Sequence, residues 1–150
     1  MPTPAELVIA AVIAKAADLP SIKAAEEVED RDVPPQVTEG PVVVAYWRST
    51  PQTIVETGLG ADLVDEWGLR IYVPLTDLPE AQRDLYQATN DVLSLARSAS
   101  LVAALTALDG VYAGSLELTD PGDEPLVEFD DRWMMKELVL RVGRYAPGVD

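Results

Sequence analysis

Trp67-Gly68-Leu69-Arg70-Ile71-Tyr72-Val73-Pro74-Leu75 alternates large apolar side chains with a glycine, a cation, a tyrosine and a proline. A period of two over nine residues describes a half-buried strand, the pattern of an antiparallel sheet with one face on the core. Upstream, Pro41-Val42-Val43-Val44-Ala45-Tyr46-Trp47 shows no alternation. Its β-branched and aromatic run reads as a strand buried on both faces. Thr53-Ile54-Val55-Glu56 extends that strand or begins a short ribbon, and Thr57-Gly58-Leu59-Gly60 punctuates the pair as a turn or arm.

Helices flank this centre. Thr3-Pro4-Ala5-Glu6 supplies a cap, a proline at the first helical position and a glutamate that closes a capping box. Leu7, Val8, Ala11, Val12 and Leu19 form a broad stripe, Ile9 and Ile13 widen it, and Pro20 ends the helix. A helix apolar over so much of its girth needs more than one neighbour. Asp77-Leu78-Pro79-Glu80 has the form of a second capping box, opening a helix from about Pro79 to Arg97. Ser100 recaps a shorter helical stretch that Gly110 ends. Strands follow at Val111 to Leu118 and from about Leu126 through Val142. In the last one Met134, Leu138, Leu140 and Val142 share one face, with Met135, Glu137, Val139 and Arg141 on the other. The expected fold is α+β, a single domain over residues 1–150: a mostly antiparallel sheet with helices packed on one face.

The 150 residues include 26 acids and 11 Lys plus Arg, a formal charge of −15, with no His and no Cys. Those absences exclude thiol catalysis, disulfides, a Ser-His-Asp triad and His- or Cys-ligated metals. The acidity opposes direct grip on nucleic acid or on an anionic membrane. No segment approaches the ~20 apolar residues of a membrane span, and the N-terminus has no cationic leader pattern. The chain therefore reads as soluble and made inside the cell.

Carboxylates are the abundant reactive groups. Glu117, Asp120, Asp123, Glu124, Glu128, Asp130 and Asp131 crowd one stretch, but their spacing does not match a calcium loop, so they read as a solvated hairpin tip. Lys15, Lys23 and Lys136 lie in no Ser-x-x-Lys pattern, and Gly58-Leu59-Gly60 opens no phosphate-binding helix. No catalytic, cofactor-binding or metal-ligating residue is assigned. Charge placement says more. Glu26-Glu27-Val28-Glu29-Asp30-Arg31-Asp32 reads as a solvated acidic loop or edge. The last strand sets Arg132, Lys136, Arg141 and Arg144 against the single acid Glu137. These cations meet the acids of a neighbouring copy in a head-to-tail ring, or they pair within one subunit across the final hairpin. Exposed pairs of the second kind contribute only ~0–1 kcal/mol each.

In order and spacing the chain resembles the tail terminator proteins of long, non-contractile-tailed bacteriophages. The resemblance runs through the capped helix Thr3 to Leu19, the Pro41 to Tyr46 strand, and an arm-like hairpin leading into Glu66 to Pro74. It continues through the helices of Pro79 to Leu108, the acidic turn, and the Arg132 to Val142 strand. It implies a structural virion protein with no enzymatic activity and no cofactor. Subunits would form a hexameric ring at the head-proximal end of the tail tube, halt tube polymerisation, and dock the head completion or stopper protein. The ring would be assembled in the host cytoplasm, and DNA would pass through its lumen without specific binding. In that setting Glu26, Glu27, Glu29 and Asp30 are candidates to line the passage. Arg70, Arg132, Lys136, Arg141, Arg144 and, on the arm, Leu59 are candidates for the subunit interface. The alternatives are another head–tail connector, a neck or stopper protein, or an acidic module that mimics DNA; the basic last strand argues against the mimic.

Overall fold

The computed structural model describes residues 2–28, 34–36, 39–57 and 60–147, and of 49–57 the backbone alone. The elements are α1 (Pro4–Ala17), β1 (Ala24–Val28), β2 (Val42–Thr57), β3 (Gly60–Pro74) and α2 (Leu78–Leu93). A 3₁₀ turn (Ser94–Arg97), α3 (Ala99–Thr106), β4 (Ala113–Thr119), β5 (Leu126–Glu128) and β6 (Trp133–Pro147) complete the chain. The sheet order is β1-β2-β3-β6-β4, with β5 also paired to β6. β1 runs parallel to β2, and every other pairing is antiparallel.

The larger core lies between the sheet and the helices. Val43 and Ala45 from β2, Trp67, Leu69 and Ile71 from β3, and Met134, Leu138 and Leu140 from β6 meet Val8, Ile9, Leu85, Val92 and Leu101 from the helices. The expected α+β class holds, and the two faces of β6 divide as the alternation of its residues requires. α1 begins at the expected capping box: the Glu6 N–H donates to Thr3 Oγ1 at 3.2 Å, and the Thr3 N–H donates to Glu6 Oε2 at 3.1 Å. It contacts β1, β2 and α3, which are the several neighbours its girth demands. Among the described residues no helix is long and apolar enough to cross a membrane.

Four expectations need correction. β3 is not half-buried: Trp67 through Val73 are all buried. It is the central strand, and its second face packs into a smaller cluster of Val42, Val44, Tyr72, Trp133 and Met135. The single last strand is two, because the chain reverses between β5 and β6 through Phe129, Asp130 and Asp131, all at positive φ. Asp77 precedes α2 but its side chain makes no capping bond. Ser98, not Ser100, caps α3, accepting from the Leu101 N–H at 3.2 Å. Of the two readings of the acidic run, loop or edge, Glu26 and Glu27 take the edge, on strand β1.

β2 and β3 pair from Val42–Tyr72 out to Thr57–Gly60, and β6 follows β3 as far as Gly60–Pro147. Where β2 and β3 cross the sheet centre, the Tyr46 ring lies directly over Gly68. A Cβ at position 68 would fall inside the van der Waals envelope of that ring, with the strand backbone fixed on both sides. Gly68→Ala is therefore expected to cost about 1–3 kcal/mol in urea unfolding, the range for overpacking a filled site. In a Tyr46→Ser background the cost should shrink, and equal costs in both backgrounds would remove Tyr46 as its cause.

Candidate functional site

The face of the sheet away from the helices carries the chain's densest polar network, at the middle of β2, β3 and β6. Arg70 on β3 stands opposite Glu137 on β6 in the ladder. Its Nε donates to Glu137 Oε1 at 2.8 Å and its Nη1 to the Tyr72 hydroxyl at 3.2 Å. Tyr46 on β2 donates its hydroxyl to the same Glu137 oxygen at 2.7 Å. The Arg70 guanidinium carbon lies 5.1 Å from the centre of the Tyr46 ring, within cation–π range. Arg48 reaches the other Glu137 oxygen at 3.6 Å. Further along the same face Arg141 pairs with Glu66 at 3.0 Å, opposite Glu117 of β4.

Burial sets the electrostatics here. Burial first, and then the hydrogen bond to the Glu137 carboxylate, push the Tyr46 hydroxyl above the ordinary phenol value. Burial also raises Tyr72, against the Arg70 charge that pulls it down. Burial alone would lower Arg70, but its hydrogen bonds to Glu137 and Tyr72 outweigh that and raise it. All three groups hold their protons at neutral pH.

A second ionic feature lies on the helix side, at the root of the β2–β3 arm. Asp65 is fully buried and accepts from Arg144 Nε at 2.8 Å. Its Oδ1 and the nearby indole nitrogen of buried Trp67 have no hydrogen-bond partner. Trp47 packs edge-on against Trp67, with ring centres 4.8 Å apart. Among the described residues no three His, Cys, Asp or Glu side chains gather to hold a metal ion.

The residues singled out from the sequence thus fall in different places. Glu26 is half-buried on the helix-free side of β1, the side that Ala24 and Val28 share, and Glu27 is exposed toward the other side. Glu29, Asp30 and Leu59 lie outside the described residues. Arg70, Lys136, Arg141 and Arg144 each pair with an acid of the same chain: Glu137, Asp120, Glu66 and Asp65 in turn. Arg132 is exposed in the turn before β6. Sequence reasoning missed Tyr46 and Glu137 as partners of Arg70, and Gly68 as the seat of the Tyr46 ring. A signal existed in Gly68-Arg70-Tyr72, three non-aliphatic residues on the alternate face of an otherwise apolar strand. Nothing comparable marked Asp65. No protein-family model and no curated protein matches the chain.

The raised Tyr46 and Tyr72 hydroxyls carry a sign. A phenol held above its unfolded value near 10 stabilises the fold below that pH, and the contribution is lost as pH rises through the folded value. Urea unfolding between pH 8 and 11.5 should therefore show stability falling in the alkaline limb. Tyr46→Phe should cost about 1 kcal/mol at neutral pH and flatten that limb. An unchanged limb in the variant would take Tyr46 out of this role.

Proposed function

We propose that the chain is a structural virion protein, a tail terminator subunit. It forms a ring at the head-proximal end of a phage tail tube, stops tube polymerisation and joins the tail to the head. The observation that carries this reading is the long β2–β3 arm, backed by β6 to Pro147 and set in the element order that resembles that family. A subunit that closes a ring by head-to-tail contact needs a surface that reaches its neighbour, and a hairpin running past the sheet centre supplies one. Tyr112 and Tyr145, 57% and 40% exposed and packed edge to face, stand beside it.

Charge supports the same reading. Five cations (Arg48, Arg70, Lys136, Arg141 and Arg144) are engaged by acids of their own chain, in a molecule that carries −15 overall. Such a surface releases no counterions from phosphates, so DNA slides past it without being held. The tube protein and the head completion protein are the partners of this reading.

Light scattering on purified protein, alone and with tail tubes added, tests the assembly. A species of roughly 97 kDa, six copies of a 16.2 kDa chain, is the expected result, and a stable dimer under both conditions overturns it. If the acids of the 26–30 segment line the passage, Gln and Asn replacements at Glu26, Glu27, Glu29 and Asp30 should leave the ring intact and slow DNA ejection. Loss of the ring in that variant would place those acids between subunits instead.

A further inference from the structure

Residues 120–132 form a strap along the outer edge of β6. β4 pairs with β6 up to Thr119–Val139, and β5 resumes only at Leu126–Met135, so among the described residues no strand covers Lys136–Leu138 on that edge. Of these three, Glu137 turns its backbone N–H and C=O outward, since Arg132 and the even-numbered residues after it face β3. Pro125 comes next in the register, opposite Lys136, where the chain leaves the ladder. β5 is three residues long, and Leu126 and Val127 remain 56% and 48% exposed. The strap is thus held by a short ladder with little apolar burial.

Two further ties secure it. Lys136 Nζ donates to the Asp123 carbonyl at 2.9 Å and pairs with Asp120 Oδ1 at 3.1 Å. The Phe129 ring lies 5.8 Å from that of Tyr72. Against these ties works the reversal into β6, where Phe129, Asp130 and Asp131 stand at φ 55°, 58° and 61°. Three successive L-residues in the left-handed region crowd Cβ against carbonyl oxygen, although aspartate tolerates this better than phenylalanine. Hollow space adjoins the strap at both ends. A 270 Å³ groove lies between Pro125, Lys136 and the Leu85–Tyr86 side of α2, and a 570 Å³ cleft is bounded by Phe129, Trp133 and Pro34.

We propose that β5 is a resident strand open to exchange: an extended segment of a partner protein displaces it and pairs antiparallel with β6 over Trp133–Leu138. The incoming strand gains what β5 lacks. It reaches the outward backbone groups of Glu137 as well as those of Trp133 and Met135, and it needs no left-handed turn. Main-chain pairing of this kind supplies affinity, and alternate side chains supply selectivity. The resident strand sets the partner's chemistry: an extended segment without proline, placing aliphatic side chains opposite Met134 and Met135 as Val127 and Leu126 do.

The probe is a fluorescein-labelled peptide copying residues 123–129 with valine in place of Pro125, titrated into the full chain and read by anisotropy. Saturable binding is expected, with hydrogen exchange slowed in the 133–139 segment. Leu126→Pro in the full chain, which removes the N–H that the resident strand directs at Met135, should tighten binding at least tenfold. Lys136→Met, which releases the strap's clip, should act in the same direction and serves if the proline variant does not fold. Asp130→Gly with Asp131→Gly relaxes the turn, holds the strap down and should weaken binding. The same peptide with proline at the Leu126 position should not bind. Absence of saturable binding to both the native chain and a folded strap variant overturns the proposal. So does protection that appears away from β6.

Discussion

A guanidinium buried on a sheet face must find a carboxylate on a neighbouring strand, and that requirement fixes the centre of this fold. Arg70 is 8% exposed, and Glu137 stands directly across the β3–β6 ladder from it. A slip of one residue would turn Arg70 toward the helices and Leu69 toward the polar face, so the pair and the apolar alternation specify the same register. Tyr46 brings β2 into the lock, since its hydroxyl shares the Glu137 oxygen and its ring needs the bare backbone of Gly68. One carboxylate thereby joins three adjacent strands. Removing one member of such a set leaves a charge uncompensated, which costs more than the intact pair contributes over a neutral replacement.

Much of this architecture was legible because it rests on short-range signals. The Thr3–Glu6 box, the unalternated Val42–Tyr46 run and the division of β6 into two faces follow from periods of 3.6 and 2. The misreadings share a different cause. Alternation along β3 distinguishes aliphatic from non-aliphatic positions, but it does not say that Arg70 and Tyr72 are covered, because the cover comes from β2 and β6. The strand break at Phe129–Asp131 was hidden because a turn of non-glycine residues in the left-handed region carries no composition signal. Ser98 and Ser100 are equally good caps by residue type, and only the 3₁₀ turn before Ser98 decides between them. Of the polar groups on the helix-free face, Arg70 and Arg141 were picked out beforehand, for a contact between subunits.

The cations illustrate how charge counts and charge placement differ. Read along the chain, β6 is a basic strand facing acidic loops. In the fold its basic residues are divided between the two faces. Arg141 meets Glu66 on one, and Arg144 meets buried Asp65 on the other. Lys136 holds the strap. Their partners come largely from β3, which is distant in sequence, and so a reading of the final hairpin alone did not find them. A contact with a neighbouring copy that recruited these cations would first have to break pairs of 2.8 to 3.1 Å. For Arg144 that would strand a fully buried carboxylate. An exposed ring such as Tyr112, and the sheet edges, are free of that cost.

β6 therefore has two edges with opposite physics. Its inner edge pairs with β3 over the whole length from Trp133 to Pro147, reinforced by charge pairs on both faces. Its outer edge is shared by β4 and the three-residue β5, with a gap between them at Lys136–Leu138. Stability and exchange need not compete in such a strand. The register that Arg70 and Glu137 impose holds β6 in place however its outer edge is occupied, so the outer ladder can open and re-form without disturbing the core. The helices lie against the sheet from one side, and the opening is in the plane of the sheet. An edge of this kind is safe in an isolated protein only while something blunts it. A short resident strand with a costly turn does so, and gives way more readily than a long one would.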